Sequence, residues 1–203
     1  MRRILATVFS LFLLAVTETE AERYYYFDHL DMTDGLFSNT IYCSHQDSNG
    51  FVWIGTRDGL CRYDGNSFTR LSELVSGYES SGSVFAITED NGGRIWFSTS
   101  SDILYYDPDT NRLSNIGKPG ERPCFNMESD MNGNVWIASD HLLRHNTIDG
   151  GIHTYTFDTP VTSIAMDSYG AIWITLEDGK LLSYDKLSDS FTTVSWGYRL
   201  EKI

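Results

Sequence analysis

The pattern Asp, two residues, Gly, two residues, Trp occurs four times, and it constrains the fold of this chain more than any other feature. The copies are Asp47, Gly50, Trp53; Asp90, Gly93, Trp96; Asp130, Gly133, Trp136; and Asp167, Gly170, Trp173. Successive tryptophans are 43, 40 and 37 residues apart, and four of the five Trp occupy this one phase. Self-similarity at about forty residues is the mark of a repeat architecture, in which each unit buries its apolar face only against its neighbours.

Within a repeat the residues alternate short β-branched or aromatic stretches with Asp, Asn, Ser and Gly. The first repeat contains NTIYCSHQ, FVWIGT, GLCRYD and SFTRLS. Four strands in some forty residues make one β-propeller blade. A second mark follows each tryptophan, an aromatic or His before Asp or Asn: Tyr63 and Asp64, Tyr106 and Asp107, His145 and Asn146, Tyr184 and Asp185. The expected fold is all-β, with blades at about 38–75, 83–118, 124–157 and 161–195, a lone strand at 24–30, and a ring left incomplete. An open arc leaves its end sheets uncovered, so the isolated chain is expected to be poorly soluble or oligomeric.

The repeated residues have structural roles. An Asp opening a tight turn accepts hydrogen bonds from backbone amides ahead of it, and Gly three positions on takes the positive φ of the hairpin. The Trp is expected to fill the space between adjacent blades, with its indole N–H finding an acceptor at an edge.

Arg2 and Arg3 precede an apolar run, Ile4 to Val16, that leads to small residues at Thr19 and Ala21. This is the pattern of a secretory signal peptide over 1–21, too short for the roughly 20 residues of a membrane-spanning helix. The leader's charges (Arg2, Arg3, Glu18, Glu20) cancel, so the mature part keeps the net charge of −13. Such a surface repels phosphate backbones and argues against nucleic-acid binding. With 41% hydrophobic and 14% aromatic residues the chain is too apolar to be a disordered tail.

Cys43, Cys61 and Cys124 form neither a disulfide framework nor a zinc pattern. They are expected as small buried hydrophobes, a Cys43–Cys61 bridge being the alternative for an exported chain. Asp107, Asp109 and Asn111 have the spacing that opens a calcium loop, but Arg112 stands where Gly is needed and Lys118 where the bidentate Glu belongs, which leaves a turn. His141 and His145 have the four-residue spacing of zinc ligands without the helix that makes it useful. No metal site and no cofactor are expected.

The segment GLFSNTIYCSHQDSNGFVWIGTRDGLCRYDG, Gly35 to Gly65, resembles the propeller repeat of periplasmic two-component regulators, and the three later copies match it more loosely. That resemblance implies the ligand-sensing start of a hybrid two-component sensor histidine kinase of the Bacteroides type. In that family the propellers lie in the periplasm, sense glycan fragments, and are followed by a membrane helix and a kinase. This chain is then expected to be an N-terminal fragment or a truncated product, with no catalysis of its own and with further blades and an oligosaccharide as partners. Ligand residues are not singled out by spacing. Tyr78, Tyr169 and His153 are candidates, and complete binding is expected to need the other blades.

The rival readings are a passive secreted scaffold and a propeller lyase of the streptogramin-inactivating type, whose blades resemble GGRIWFSTSSDILYYDPDT. The lyase needs a metal and a histidine acid or base at the central channel. His29, His45, His141, His145 and His153 are available, and no motif selects one.

Overall fold

The computed structural model describes residues 27–79, 82–118, 123–146 and 150–194. The expected signal peptide and the start of a fifth repeat at Trp196 lie outside the described residues. Among the described residues sixteen strands form four antiparallel sheets of four, each a meander in chain order. The first sheet holds β1 (Ile41–Gln46), β2 (Val52–Thr56), β3 (Gly59–Tyr63) and β4 (Phe68–Arg70). The second holds β5 (Val84–Glu89), β6 (Ile95–Thr99), β7 (Ile103–Asp107) and β8 (Arg112–Gly117). The third holds β9 (Asn126–Ser129), β10 (Asn134–Ala138), β11 (Leu142–Asn146) and β12 (Ile152–Tyr155). The fourth holds β13 (Val161–Met166), β14 (Ile172–Leu176), β15 (Leu181–Asp185) and β16 (Ser190–Thr193).

Contacts between sheets run through the first strands, β1 to β5, β5 to β9 and β9 to β13, so these are the innermost strands and the sheets stand around an axis as blades. The arc does not close among the described residues. Three apolar layers hold it together, one between each pair of neighbours. Trp53, Leu60, Val84, Phe97 and Tyr106 belong to the first, Trp96, Cys124, Met127 and Ile137 to the second, and Trp136, Val161, Ile164, Ile174 and Leu182 to the third.

The fold is not purely β. After β4 the chain makes a four-residue helix, α1 (Leu71–Leu74), that buries Leu71 against the first layer, and Met32–Asp34 form a 3₁₀ turn. The lone strand expected at 24–30 falls only partly among the described residues. Residues 24–26 lie outside the described ones, and Phe27–Leu30 pair with nothing among them.

The Cys43–Cys61 bridge is also absent, and all three thiols are free. Cys43 pairs with Gly55 and Cys61 with Ile54, consecutive residues of β2, so the two side chains leave opposite faces of the sheet.

The third and fourth blades share a polar clasp. Arg144 Nη1 donates to Asp189 Oδ1 at 2.7 Å and to the Tyr184 hydroxyl at 2.5 Å, while the Tyr155 and Tyr184 hydroxyls donate to Asp189 Oδ1 at 2.5 and 2.6 Å. These hydroxyls, then Arg144, hold the Asp189 carboxyl well below the usual carboxylate range.

Candidate functional site

Each repeated Asp performs the role expected of it and a second that joins the turn to the tryptophan. Asp47 Oδ1 accepts from the amides of Asn49 and Phe51 at 3.0 and 2.9 Å, and its Oδ2 accepts the Trp53 indole N–H at 2.7 Å. The same indole bond is 2.7 Å from Trp96 to Asp90, 2.8 Å from Trp136 to Asp130 and 3.0 Å from Trp173 to Asp167. The amide of Gly50, at φ +89°, donates to the Asp47 carbonyl at 2.9 Å and closes the turn that brings the carboxylate over the ring. Gly93, Gly133 and Gly170 repeat this at φ of +76°, +81° and +79°. Trp stands six positions after Asp because the β1–β2 turn must fold back before the chain re-enters the sheet at Val52.

Burial grades these locks. Trp53, Trp96 and Trp136 are at most 1% exposed, each covered by the following blade. Trp53 meets Tyr106 with ring centroids 5.7 Å apart, and Trp136 meets Tyr184 at 4.9 Å. Trp173, on the trailing face of the fourth blade, is only half-buried. The locks are structural and sit at the end of each sheet where strands one and two join.

The opposite end carries a different repeat. Tyr42, Phe85 and Thr162 each fall at a register shift in the innermost strand of their blade, and Phe125 takes the corresponding place just before β9. A bulge adds one residue to a strand and re-aims its side chain. Here the result is a continuous aromatic row, with ring centroids of Tyr42 and Phe85 5.1 Å apart and those of Phe85 and Phe125 also 5.1 Å apart. Tyr42 remains 47% and Phe125 62% exposed. Beyond Phe125 the row runs into a cavity of about 180 Å³ between the third and fourth blades, lined also by Asn126, Ser139, Val161 and Thr162.

Close approach of the inner strands supports this row. A Cβ on Gly55 would lie 2.4 Å from Cys43 Sγ and 2.9 Å from the Val84 carbonyl oxygen, so only glycine fits where the first blade meets the second. One blade on, Ser98 Oγ donates to the Cys124 carbonyl at 2.7 Å and fixes the backbone next to Phe125.

The row was within reach of sequence reasoning and was missed. Tyr42, Phe85, Phe125 and Thr162 all stand eleven residues before the repeat tryptophan, so three of four are aromatic at one phase. The residues that were singled out do not converge. Tyr78 lines a cavity at the outer rim beside α1 and β8. Tyr169 is 95% exposed in the turn before β14, and His153 lies in β12 with its ring 4.5 Å from that of Tyr155.

The histidines are likewise dispersed. His29 precedes the 3₁₀ turn, His45 is in β1 facing Glu89 and Asp47, His141 borders a cavity between the second and third blades, and His145 is in β11. No group of three His, Cys, Asp or Glu that could hold a metal occurs among the described residues. The Asp107 turn is a tight connection between β7 and β8, its carboxylate accepting from the amides of Asp109 and Thr110.

Residues 35–58 and 78–101 match the two component regulator propeller family. No curated protein matches this chain. Among solved structures it is similar to the extracellular domain of a protein described as hybrid two component system BT4673 from B. thetaiotaomicron. The TM-score is 0.67 and the identity 18%, over 89% of this chain and 24% of that one. Virginiamycin B lyase from Staphylococcus aureus superposes with TM-score 0.64 at 17% identity, over 78% of this chain and 56% of the lyase. The WD40 propeller of Doa1 follows at TM-score 0.57 and 12% identity, over 70% and 49%. At these identities the likeness is one of fold, and the chain spans about a quarter of the first neighbour's length. No helix among the described residues is long and apolar enough to cross a membrane.

Proposed function

We propose that this chain is part of the exported, ligand-sensing propeller region of a hybrid two-component sensor, that it performs no catalysis itself, and that its ligand is an oligosaccharide. The observation that carries the reading is the match of two blades to the two component regulator propeller family, in a chain whose innermost strands present exposed aromatic side chains. The extracellular placement of the BT4673 domain supports export, as do the basic and apolar residues of the expected signal peptide. The partners are further blades. The half-buried Trp173 presents to the open end of the arc the same face that Trp53, Trp96 and Trp136 bury against a following blade.

A lyase shares the fold, which by itself carries no function. Catalysis of that kind needs a convergent metal and histidine, and the described histidines are spread over separate elements. The reading is tested in the DNA past the codon for Ile203. A frame that continues through more blades, one membrane helix and a kinase supports it, and a stop codon followed by unrelated sequence contradicts it.

A further inference from the structure

We infer that the aromatic row Tyr42, Phe85 and Phe125, with the cavity at its end, is a binding platform around the propeller axis for an uncharged pyranose chain. The ligand class rests on the proposed sensing role; the location rests on the geometry of the row alone.

Three features select this ligand chemistry. The rings form an aromatic strip, exposed at Tyr42 and Phe125 and half-buried at Phe85, yet they are tilted at 46° and 65° to one another and do not form the parallel slot that would grip a flat aromatic ligand. A pyranose offers C–H faces to individual rings and does not need them parallel. Second, neither the row nor any residue lining its cavity is charged, in a chain of net charge −13. Anions are repelled by the surface at large, and no carboxylate in the row or lining its cavity is there to pair a cation. Third, the strip ends in side chains that hydrogen-bond, Asn126, Ser139 and Thr162, beside the apolar Val161. Apolar walls with a few convergent polar groups are the usual composition of a small-molecule site.

The placement is equally specific. Tyr42 and Phe85 occupy one bulged position and Phe125 the corresponding place before β9, while the Asp–Trp locks hold the opposite end of every sheet. Stability and recognition are thereby assigned to different ends of the same strands. The fourth blade breaks the pattern with Thr162, which is exposed and donates to the Thr175 carbonyl at 3.1 Å. The row therefore has three rings and a vacant fourth step.

That step supplies a test that does not depend on damaging the fold. Saturation-transfer NMR on the whole chain is run with neutral hexasaccharides of β-1,4-glucan, β-1,4-xylan and α-1,4-glucan, and with oligogalacturonate as the anionic control. With only four blades present the expected affinity for a neutral hexasaccharide is weak, in the millimolar range. Phe125→Ala and Tyr42→Ala should each weaken it about fivefold, and Thr162→Tyr should strengthen it by a similar factor, with oligogalacturonate silent throughout. Neutral-glycan binding that is unchanged in all three variants overturns the site and leaves the sensing role standing. Binding of none of the neutral glycans overturns the ligand class and the site together. Preference for oligogalacturonate overturns the uncharged-ligand assignment.

Discussion

Replacing Asp130 by Ala removes one lock from the middle of the arc. Asp130 accepts from the amides of Asn132 and Asn134 at 2.8 and 3.0 Å, from Asn134 Nδ2, and from the Trp136 indole at 2.8 Å. Trp136 is fully buried, so its orphaned N–H costs about 1–3 kcal/mol. Loss of the turn's cap costs about 1 kcal/mol more, by analogy with helix caps. The expected destabilisation is about 2–4 kcal/mol, read from urea midpoints at one fixed protein concentration. In the half-buried fourth lock the freed Trp173 indole can reach water, so Asp167→Ala should cost only about 1 kcal/mol. Trp136→Phe removes the indole donor, so the double variant Asp130→Ala with Trp136→Phe should be less destabilised than the sum of the singles by about 1–3 kcal/mol. Equal costs for Asp130→Ala and Asp167→Ala, with a coupling below about 0.5 kcal/mol, would refute the lock as the device that holds the blades.

Three further outcomes are expected. Burial pushes the thiols of Cys43 and Cys124 up to about 12 and raises that of Cys61, so iodoacetamide at pH 8 should label the folded chain far more slowly than the urea-unfolded one; rapid labelling of intact blades would contradict this. Burial lowers the His45 pKa, against opposing pulls from Glu89 and Asp47, and leaves its Nε2 without a partner. The unfolded chain therefore binds this proton first, and stability should fall as pH drops from about 6.5 through the lower folded value; His45→Gln should flatten that slope, and an unaltered slope would remove His45 as its cause. Because the trailing face of the fourth blade leaves Trp173 half-buried, the isolated chain should elute as oligomers or aggregate, and a monodisperse monomer with a cooperative melt would count against it.

The blades were legible because their repeat is written in residues with few alternative uses. An Asp, a positive-φ Gly and a buried Trp at fixed spacing describe a turn and an interface together, although the sequence did not reveal that the indole's acceptor is the Asp of its own repeat. Aromatic residues are less explicit. Tyr24 to Leu30 suggested a strand, but whether an extended segment pairs depends on a neighbour that composition does not name. Cys43 and Cys61 are close along the chain, and only the register on β2 sends them to opposite faces. The aromatic row was marked only by its phase, eleven residues before each repeat tryptophan. Tyr42 and Phe85 are placed by bulges, which shift a strand's facing by one residue and escape an alternation rule.

The sensing role is tested most directly by the transcriptional response of the native host to single purified glycans, with and without this gene. The account predicts that the mutant loses induction of the genes answering one neutral glycan and keeps its responses to the others. An unchanged response to every glycan would contradict it.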